Sequence, residues 1–187
     1  MNYSDLKIFS KIPSLRTERL VLRKICRSDL LDVYEYASDP YVSKYLLWNP
    51  HRNIAYTTEY LKVIERNYKK NNFFDWAITL ADSNKMIGTC GFTSFDIPNN
   101  TAEIGYVLNR NYWGRGIAVE ASNRIIDFGF NQLGLHRIEV NFMPSNSSSR
   151  RVAEKCGMHY EGLLKDRILA KGKYQDIEVY AITNSTY

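Results

Sequence analysis

At 187 residues with a formal net charge of +5, the chain has the length of one domain whose core needs no covalent staples, and a single domain over 1–187 with its core at about 17–184 is expected. Lys and Arg are scattered, with only short clusters such as Arg150-Arg151, and no helix-turn-helix, zinc-finger or RNP string occurs, which argues against direct nucleic-acid binding. Cys26, Cys90 and Cys156 are odd in number and far apart, Met1 to Lys11 lacks a continuous apolar run, and no segment reaches membrane-spanning length; a cytoplasmic protein without disulfides, metal or membrane contact is expected.

Thr17 to Ile25 alternates, with Leu20, Leu22 and Ile25 opposed by charged neighbours, and reads as an opening strand. Ser28 is the expected N-cap of a helix to about Ala37 that gathers Leu30, Val33, Tyr34 and Ala37 on one face, and Asp39-Pro40 ends it. Tyr41 to Pro50 is aromatic and turn-rich. From Ala55 to about Lys69, Tyr60, Leu61, Ile64 and Tyr68 share a stripe, which predicts a second helix. The two helices are expected to wall one side of a substrate groove, with plain core packing as the other reading of the stripe.

Asp75 to Leu80 and Met86 to Phe95 read as an antiparallel pair turned at Asp82 to Lys85, in which Gly88 and Gly91 mark a bulge or a close backbone approach. After a turn at Asp96 to Asn100, Thr101 to Leu108 alternates, placing Ala102, Ile104, Tyr106 and Leu108 on one face and Glu103, Gly105 and Val107 on the other. Ile117, Ala121, Ile125 and Phe128 then recur at helical spacing until Leu133-Gly134-Leu135 breaks the pattern. The strand Arg137 to Phe142 reaches the Glu103 strand through that helix, so the two should run parallel. A helix capped by Asn146 or a nearby serine and stopped by Gly157 follows, then two strands divided at Ala170 to Lys173. The order is β-α-α-β-β-β-α-β-α-β-β, an α/β chain with a mixed sheet.

Between the Glu103 strand and the following helix lies Arg110-Asn111-Tyr112-Trp113-Gly114-Arg115-Gly116-Ile117-Ala118. A strand, a turn with two glycines and a helix N-terminus together make an anion cradle, because unpartnered N–H groups and the positive end of the dipole face the same point. The guest should carry phosphates. A dinucleotide fingerprint needs a glycine where Val119 stands, and no Gly-Lys-Ser/Thr string makes a P-loop. A tight turn without any ligand is the plain alternative.

The turn resembles the Gln/Arg-x-x-Gly-x-Gly/Ala acyl-CoA loop of the GNAT superfamily of N-acetyltransferases, with Asn111 at the first position instead of Gln or Arg. His136-Arg137-Ile138-Glu139, then Pro144-Ser145-Asn146-Ser147-Ser148-Ser149, then Glu154-Lys155-Cys156-Gly157-Met158 follow the family's order, with Ser145 for a usual glutamate and Met158 for a usual phenylalanine. Thr17-Glu18-Arg19-Leu20, Ala102-Glu103-Ile104-Gly105-Tyr106 and Tyr112-Trp113-Gly114-Arg115-Gly116 are most similar to the ribosomal-protein N-terminal acetyltransferase branch, which modifies alanine or serine α-amines.

The resemblance implies acetyl-CoA as donor, direct attack by an amine, and a parallel strand pair that splays after Glu103. It implies Val107 and Leu108 as backbone contacts of the pantetheine and acetyl group, Trp113, Gly114, Arg115, Gly116, Ile117 and Ala118 as the diphosphate site, and Asn146 and Ser149 beside the pantetheine and leaving sulfur. An α-amine, with a pKa of about 7.7–8.0, must lose a proton before attack, and the resemblance makes Glu103 the candidate base, an exposed strand glutamate without a role being the plain alternative. Ser149 is the candidate proton donor to the thiolate, or only a helix cap. Tyr106 and Tyr160 are weaker candidates, read as buried tyrosines that pack. The expected acceptor is a protein N-terminus; a small amine such as a polyamine, amino sugar or aminoglycoside is the alternative, and a non-catalytic acyl-CoA-binding module a third. A monomer or a homodimer is expected.

Overall fold

The computed structural model describes residues 12–70, 74–185 and 187, so the Met1 to Lys11 segment lies outside the described residues. In chain order the elements are β1 (Leu15–Arg16), β2 (Leu20–Arg23), α1 (Leu30–Ala37), α2 (Pro40–Ser43), α3 (Ile54–Lys69), β3 (Phe74–Leu80), β4 (Met86–Asp96), β5 (Thr101–Leu108), α4 (Ile117–Asn131), β6 (Arg137–Phe142), α5 (Ser147–Lys155), β7 (His159–Ala170) and β8 (Lys173–Thr183).

Two boundaries differ from expectation for physical reasons. The chain before α1 is a 3-10 turn at Arg27–Asp29, so Ser28 is not the N-cap; Asp29 stands there, and its carboxylate is bound by Arg23 (2.7 Å) instead of capping the helix. Asp39-Pro40 starts a helix as well as ending one. Asp39 Oδ1 accepts from the Tyr41 N–H at 2.8 Å, and Pro40 occupies the first helical position, where its missing N–H costs nothing.

Among the described residues eight strands form one mixed sheet in the order β1-β2-β3-β4-β5-β6-β8-β7. All pairs are antiparallel except β5–β6, whose parallel register covers Thr101↔Arg137, Ala102↔Ile138 and Glu103↔Glu139. Gly88 and Gly91 sit at close backbone approaches: a Cβ would stand 2.1 Å from the Val107 carbonyl oxygen and 2.3 Å from that of Phe74. The β3–β4 register shift falls beside Gly88, which pairs with Ile78 before Ile87 is skipped, and the β4–β5 shift falls at Phe92/Ser94, past Gly91.

Alternation along each strand feeds two cores. On one sheet face Trp76, Ile78, Phe92, Ala102 and Ile104 meet Ala121, Ile125 and Phe128 of α4. Phe128 is fully buried, and its removal would cost about 3–5 kcal/mol. On the other face Ala77 and Met86 meet Val33 and Tyr36 of α1 and Leu61, Ile64 and Tyr68 of α3. Among the described residues no helix is long and apolar enough to cross a membrane.

Candidate active site

The loop leaving β5 is held by its own side chains. Asn109 is buried; its N–H donates to the Ile87 carbonyl (2.8 Å), its Oδ1 accepts from the Asn111 N–H (3.0 Å), and its Nδ2 donates to Glu35 Oε1 (2.9 Å). After a 3-10 turn at Arg110–Tyr112, Trp113 folds back and donates Nε1–H to the Leu108 carbonyl at 2.7 Å. Gly114 and Gly116 have φ of 75° and 74°, a region that costs other L residues about 1–2 kcal/mol. Gly116 caps α4 without a side-chain hydrogen bond, so the first amides of α4 have no side-chain partner.

Strands β5 and β6 part after Glu103↔Glu139, although β5 runs on to Leu108 and β6 to Phe142. Helix α5 bridges the gap. Asn146 Oδ1 caps α5 by accepting from the Ser149 N–H (3.2 Å), and the Tyr106 hydroxyl donates to the Ser149 carbonyl (3.1 Å). Burial raises the Tyr106 pKa, which keeps that phenol neutral.

A cleft of about 410 Å³ opens where the strands part. Val107, Leu108, Trp113, Gly114, Gly116, Ile117, Ala118, Asn146 and Ser149, all singled out in the sequence, line it. Arg115 does not: its guanidinium lies over the Tyr112 ring, 5.5 Å from the centroid, and its carbonyl accepts from Arg19 Nη1 at 3.0 Å. The sequence reading missed Tyr41, Lys44 and Tyr45 around α2, and Arg151 and Lys155 of α5. Arg151 and Lys155 carried a usable signal, since four-residue spacing puts them on one side of α5. Lys44, Arg151 and Lys155 bring three cations to the cleft, and no Asp or Glu lines it. Such a lining suits an anionic guest that carries several phosphates.

Glu103 does not line the cleft; it stands at the last register pair before the strands part, on the same face of β5 as Val107, which does. Burial raises its proton affinity, the charge of Glu139 adds to the rise, and hydrogen bonds from Asn141, Ser94 and Thr93 oppose it. Glu139 is itself bound by Arg137 at 2.6 Å. The other strand and turn carboxylates do not join Glu103. Asp96 ends β4, bonded by Asn99 (2.8 Å), and Asp75 folds over Gly91, where burial pushes its pKa up to about 7.

Tyr160 corrects an expectation: it is 55% exposed and rests edge-on against Tyr180, because β7 is the sheet's outer strand. The Cys156 thiol is pushed up to about 12 by burial, which makes it a poor nucleophile.

Residues 19–159 match the family model described as "Acetyltransferase (GNAT) domain". The chain belongs to the GNAT family of acetyltransferases. It is 36% identical over 174 residues to the uncharacterized N-acetyltransferase p20 of Bacillus licheniformis, covering 93% of this chain and 98% of that protein. A crystal structure of a GNAT-family acetyltransferase from Bacillus anthracis superposes with a TM-score of 0.82 at 31% identity, covering 92% of this chain and 99% of the other. At 26% identity the chain is similar to the Escherichia coli [ribosomal protein uS5]-alanine N-acetyltransferase, with 93% of each covered, and to the Vibrio cholerae spermidine N(1)-acetyltransferase, with 90% of this chain and 95% of that protein covered. GNAT enzymes move an acetyl group from acetyl-CoA to an amine, so this chain is an N-acetyltransferase, and the cleft's cations and left-handed glycines fit that donor.

Proposed function

We propose that residues 17–184 form one domain that acetylates the N-terminal α-amine of a protein, taking the acetyl group from acetyl-CoA by direct attack. The observation that carries this reading is the parting of β5 and β6 after Glu103, which puts a carboxylate of raised proton affinity on one side of the sheet and the cationic cleft at the gap. The amides of Trp113 to Ala118, Arg115 included through its backbone, bind the diphosphate. The free edge of β5 at Val107 and Leu108 binds the pantetheine and orients the acetyl carbonyl, and Asn146 and Ser149 flank the arm from α5.

Glu103 takes a proton from the acceptor ammonium, directly or through one water. The freed amine nitrogen bonds to the acetyl carbonyl carbon, the carbon–sulfur bond breaks, and the nitrogen's second proton leaves as the thiolate takes one up, with the Ser149 hydroxyl as candidate donor, giving its proton to the sulfur and regaining the one the nitrogen releases. A thiol pKa of about 8.5 means the departing sulfur needs little help. A protein N-terminus is favoured over a polyamine by the resemblance of Thr17 to Leu20, Ala102 to Tyr106 and Tyr112 to Gly116 to the ribosomal-protein branch, and the uS5-alanine-acetylating relative supports it. The small-amine reading draws on the spermidine-acetylating relative alone.

The test is thiol release from acetyl-CoA with peptides beginning in Ala or Ser set against spermidine, amino sugars and aminoglycosides. Faster turnover of the peptides is expected. A polyamine or sugar turned over at higher kcat/KM would replace the acceptor and leave the acetyl transfer standing.

A further inference from the structure

The turn between β1 and β2 is tied to the far side of the glycine loop. Thr17 Oγ1 donates to Glu120 Oε1 at 2.6 Å and accepts from the Leu20 N–H at 3.1 Å. The Arg19 N–H donates to the same Glu120 oxygen (3.0 Å), Arg19 Nε to Glu120 Oε2 (2.7 Å) and Arg19 Nη1 to the Arg115 carbonyl (3.0 Å). Arg19 Nη2 is the nearest atom, at 3.7 Å, to where a Cβ on Gly116 would stand. One guanidinium therefore grips both the middle peptide of Gly114-Arg115-Gly116 and the first turn of α4.

Glu120 makes that grip matter. A carboxylate in the first turn of a helix is drawn to the positive end of the dipole, the same place where a diphosphate would sit. Loose, it would repel that anion and compete for the unpartnered amides. Burial alone would raise its proton affinity, and the bonds from Thr17 and Arg19 more than reverse this, so it stays ionised and engaged. Thr17, Arg19 and Glu120 are all absent from the cleft lining, so any effect they have on the donor must pass through the loop.

We infer that Thr17 and Arg19 are positioning residues for acetyl-CoA: they hold Glu120 away from the N-terminus of α4 and fix the Arg115 peptide between its two left-handed glycines. The inference rests on the reading of Trp113 to Ala118 as the diphosphate site. Arg19→Ala strips the cation from Glu120 Oε2 and the donor from the Arg115 carbonyl, leaving Glu120 Oε1 on Thr17 and the backbone N–H, and the carboxylate charge so freed is expected to weaken coenzyme A binding and raise KM for acetyl-CoA about tenfold, with kcat at saturation within about twofold of wild type. Arg19→Lys restores the charge without the fork that reaches two acceptors, and should recover part of the loss. Arg19→Ala/Glu120→Gln removes the freed charge as well, so it should bind coenzyme A more tightly than Arg19→Ala alone.

Calorimetric titration of coenzyme A, steady-state kinetics and the thermal midpoint of the free protein read all four proteins. The inference is overturned by equal affinity of wild type and Arg19→Ala, by a double variant no tighter than the single one, or by a fall in kcat in place of the rise in KM. Should Arg19→Ala fail to fold, Arg19→Lys carries the test through a smaller rise in KM with kcat kept, and its absence counts equally against. A wild-type protein that takes up no coenzyme A would instead remove the diphosphate reading itself, an outcome distinct from wild type and Arg19→Ala binding alike.

Discussion

The two sides of the β5–β6 gap are made of different materials. On the side proposed for the donor the groups are backbone amides, held in place by Asn109, the left-handed glycines and the start of α4, all within a short stretch of chain. On the side proposed for the acceptor they are side chains from separate strands: Glu103 of β5, Ser94 of β4, and Glu139 and Asn141 of β6. A backbone site is fixed once the loop is closed and accepts one kind of anion. A side-chain site can change its proton affinity and its guest by single substitutions, and proteins similar to this chain include both a ribosomal-protein and a spermidine acetyltransferase.

If the division is real, substitutions on each side should leave the other's constants alone. The largest effect is expected from Glu103→Gln, which keeps size and hydrogen bonding but removes the base. kcat should fall about 10²–10⁴-fold, the usual worth of general base catalysis, while the calorimetric Kd for acetyl-CoA stays at the wild-type value. Loss of donor binding in that variant would erase the boundary between the sides. Next is Gly116→Val, which forces a β-branched residue to a φ of 74° at the mouth of α4. With strain of about 1–3 kcal/mol, donor affinity should fall about 10- to 100-fold and kcat at saturation should hold.

The same division decides what could be read from the sequence. Period-two and helical spacing are local, so β5, α3 and α4 were legible to within a residue or two, and so was the glycine loop, whose geometry is a property of adjacent residues. The parallel course of β5 and β6 followed from the helix between them. Lys44 was invisible because only the tertiary fold brings α2 to α5. The surroundings of Glu103 were equally hidden: nothing local to Ala102-Glu103-Ile104 announces Asn141 or Glu139, so an exposed carboxylate was as reasonable as a half-buried one. Ser28 failed as a cap for a related reason. Its neighbour Asp29 is drawn to Arg23, a partner whose position depends on β2.

A smaller effect sharpens the acceptor side alone. Glu103 must be ionised to act, so activity should fall as pH drops through its raised pKa, giving kcat/KM an acid limb. Glu139→Gln removes a like charge and favours the carboxylate, so the limb should move to lower pH. Asn141→Ala removes a hydrogen bond to the carboxylate, so the limb should move to higher pH. Opposite displacements in pH profiles of the two variants are the expected result; movement in the same direction would mean that another group sets the limb.

The smallest effect belongs to the cations of α5. Arg151 and Lys155 are exposed, and exposed charges are screened over about 10 Å at 0.1 M salt, so neither can supply much affinity alone. Arg151→Ala and Lys155→Ala should each weaken acetyl-CoA binding only about two- to fivefold at low salt. Their signature lies in the salt dependence. Surface cations act largely through attraction across solvent, which salt screens, whereas direct hydrogen bonds from the loop amides need contact, so the difference between each variant and wild type should shrink as salt rises. Titrations at about 0.05 and 0.5 M salt read this directly, since the Debye length contracts severalfold between them. A deficit that persists at high salt would mean that Arg151 or Lys155 makes a fixed, desolvated bond to the donor, and the donor side would then be built of side chains as well as backbone.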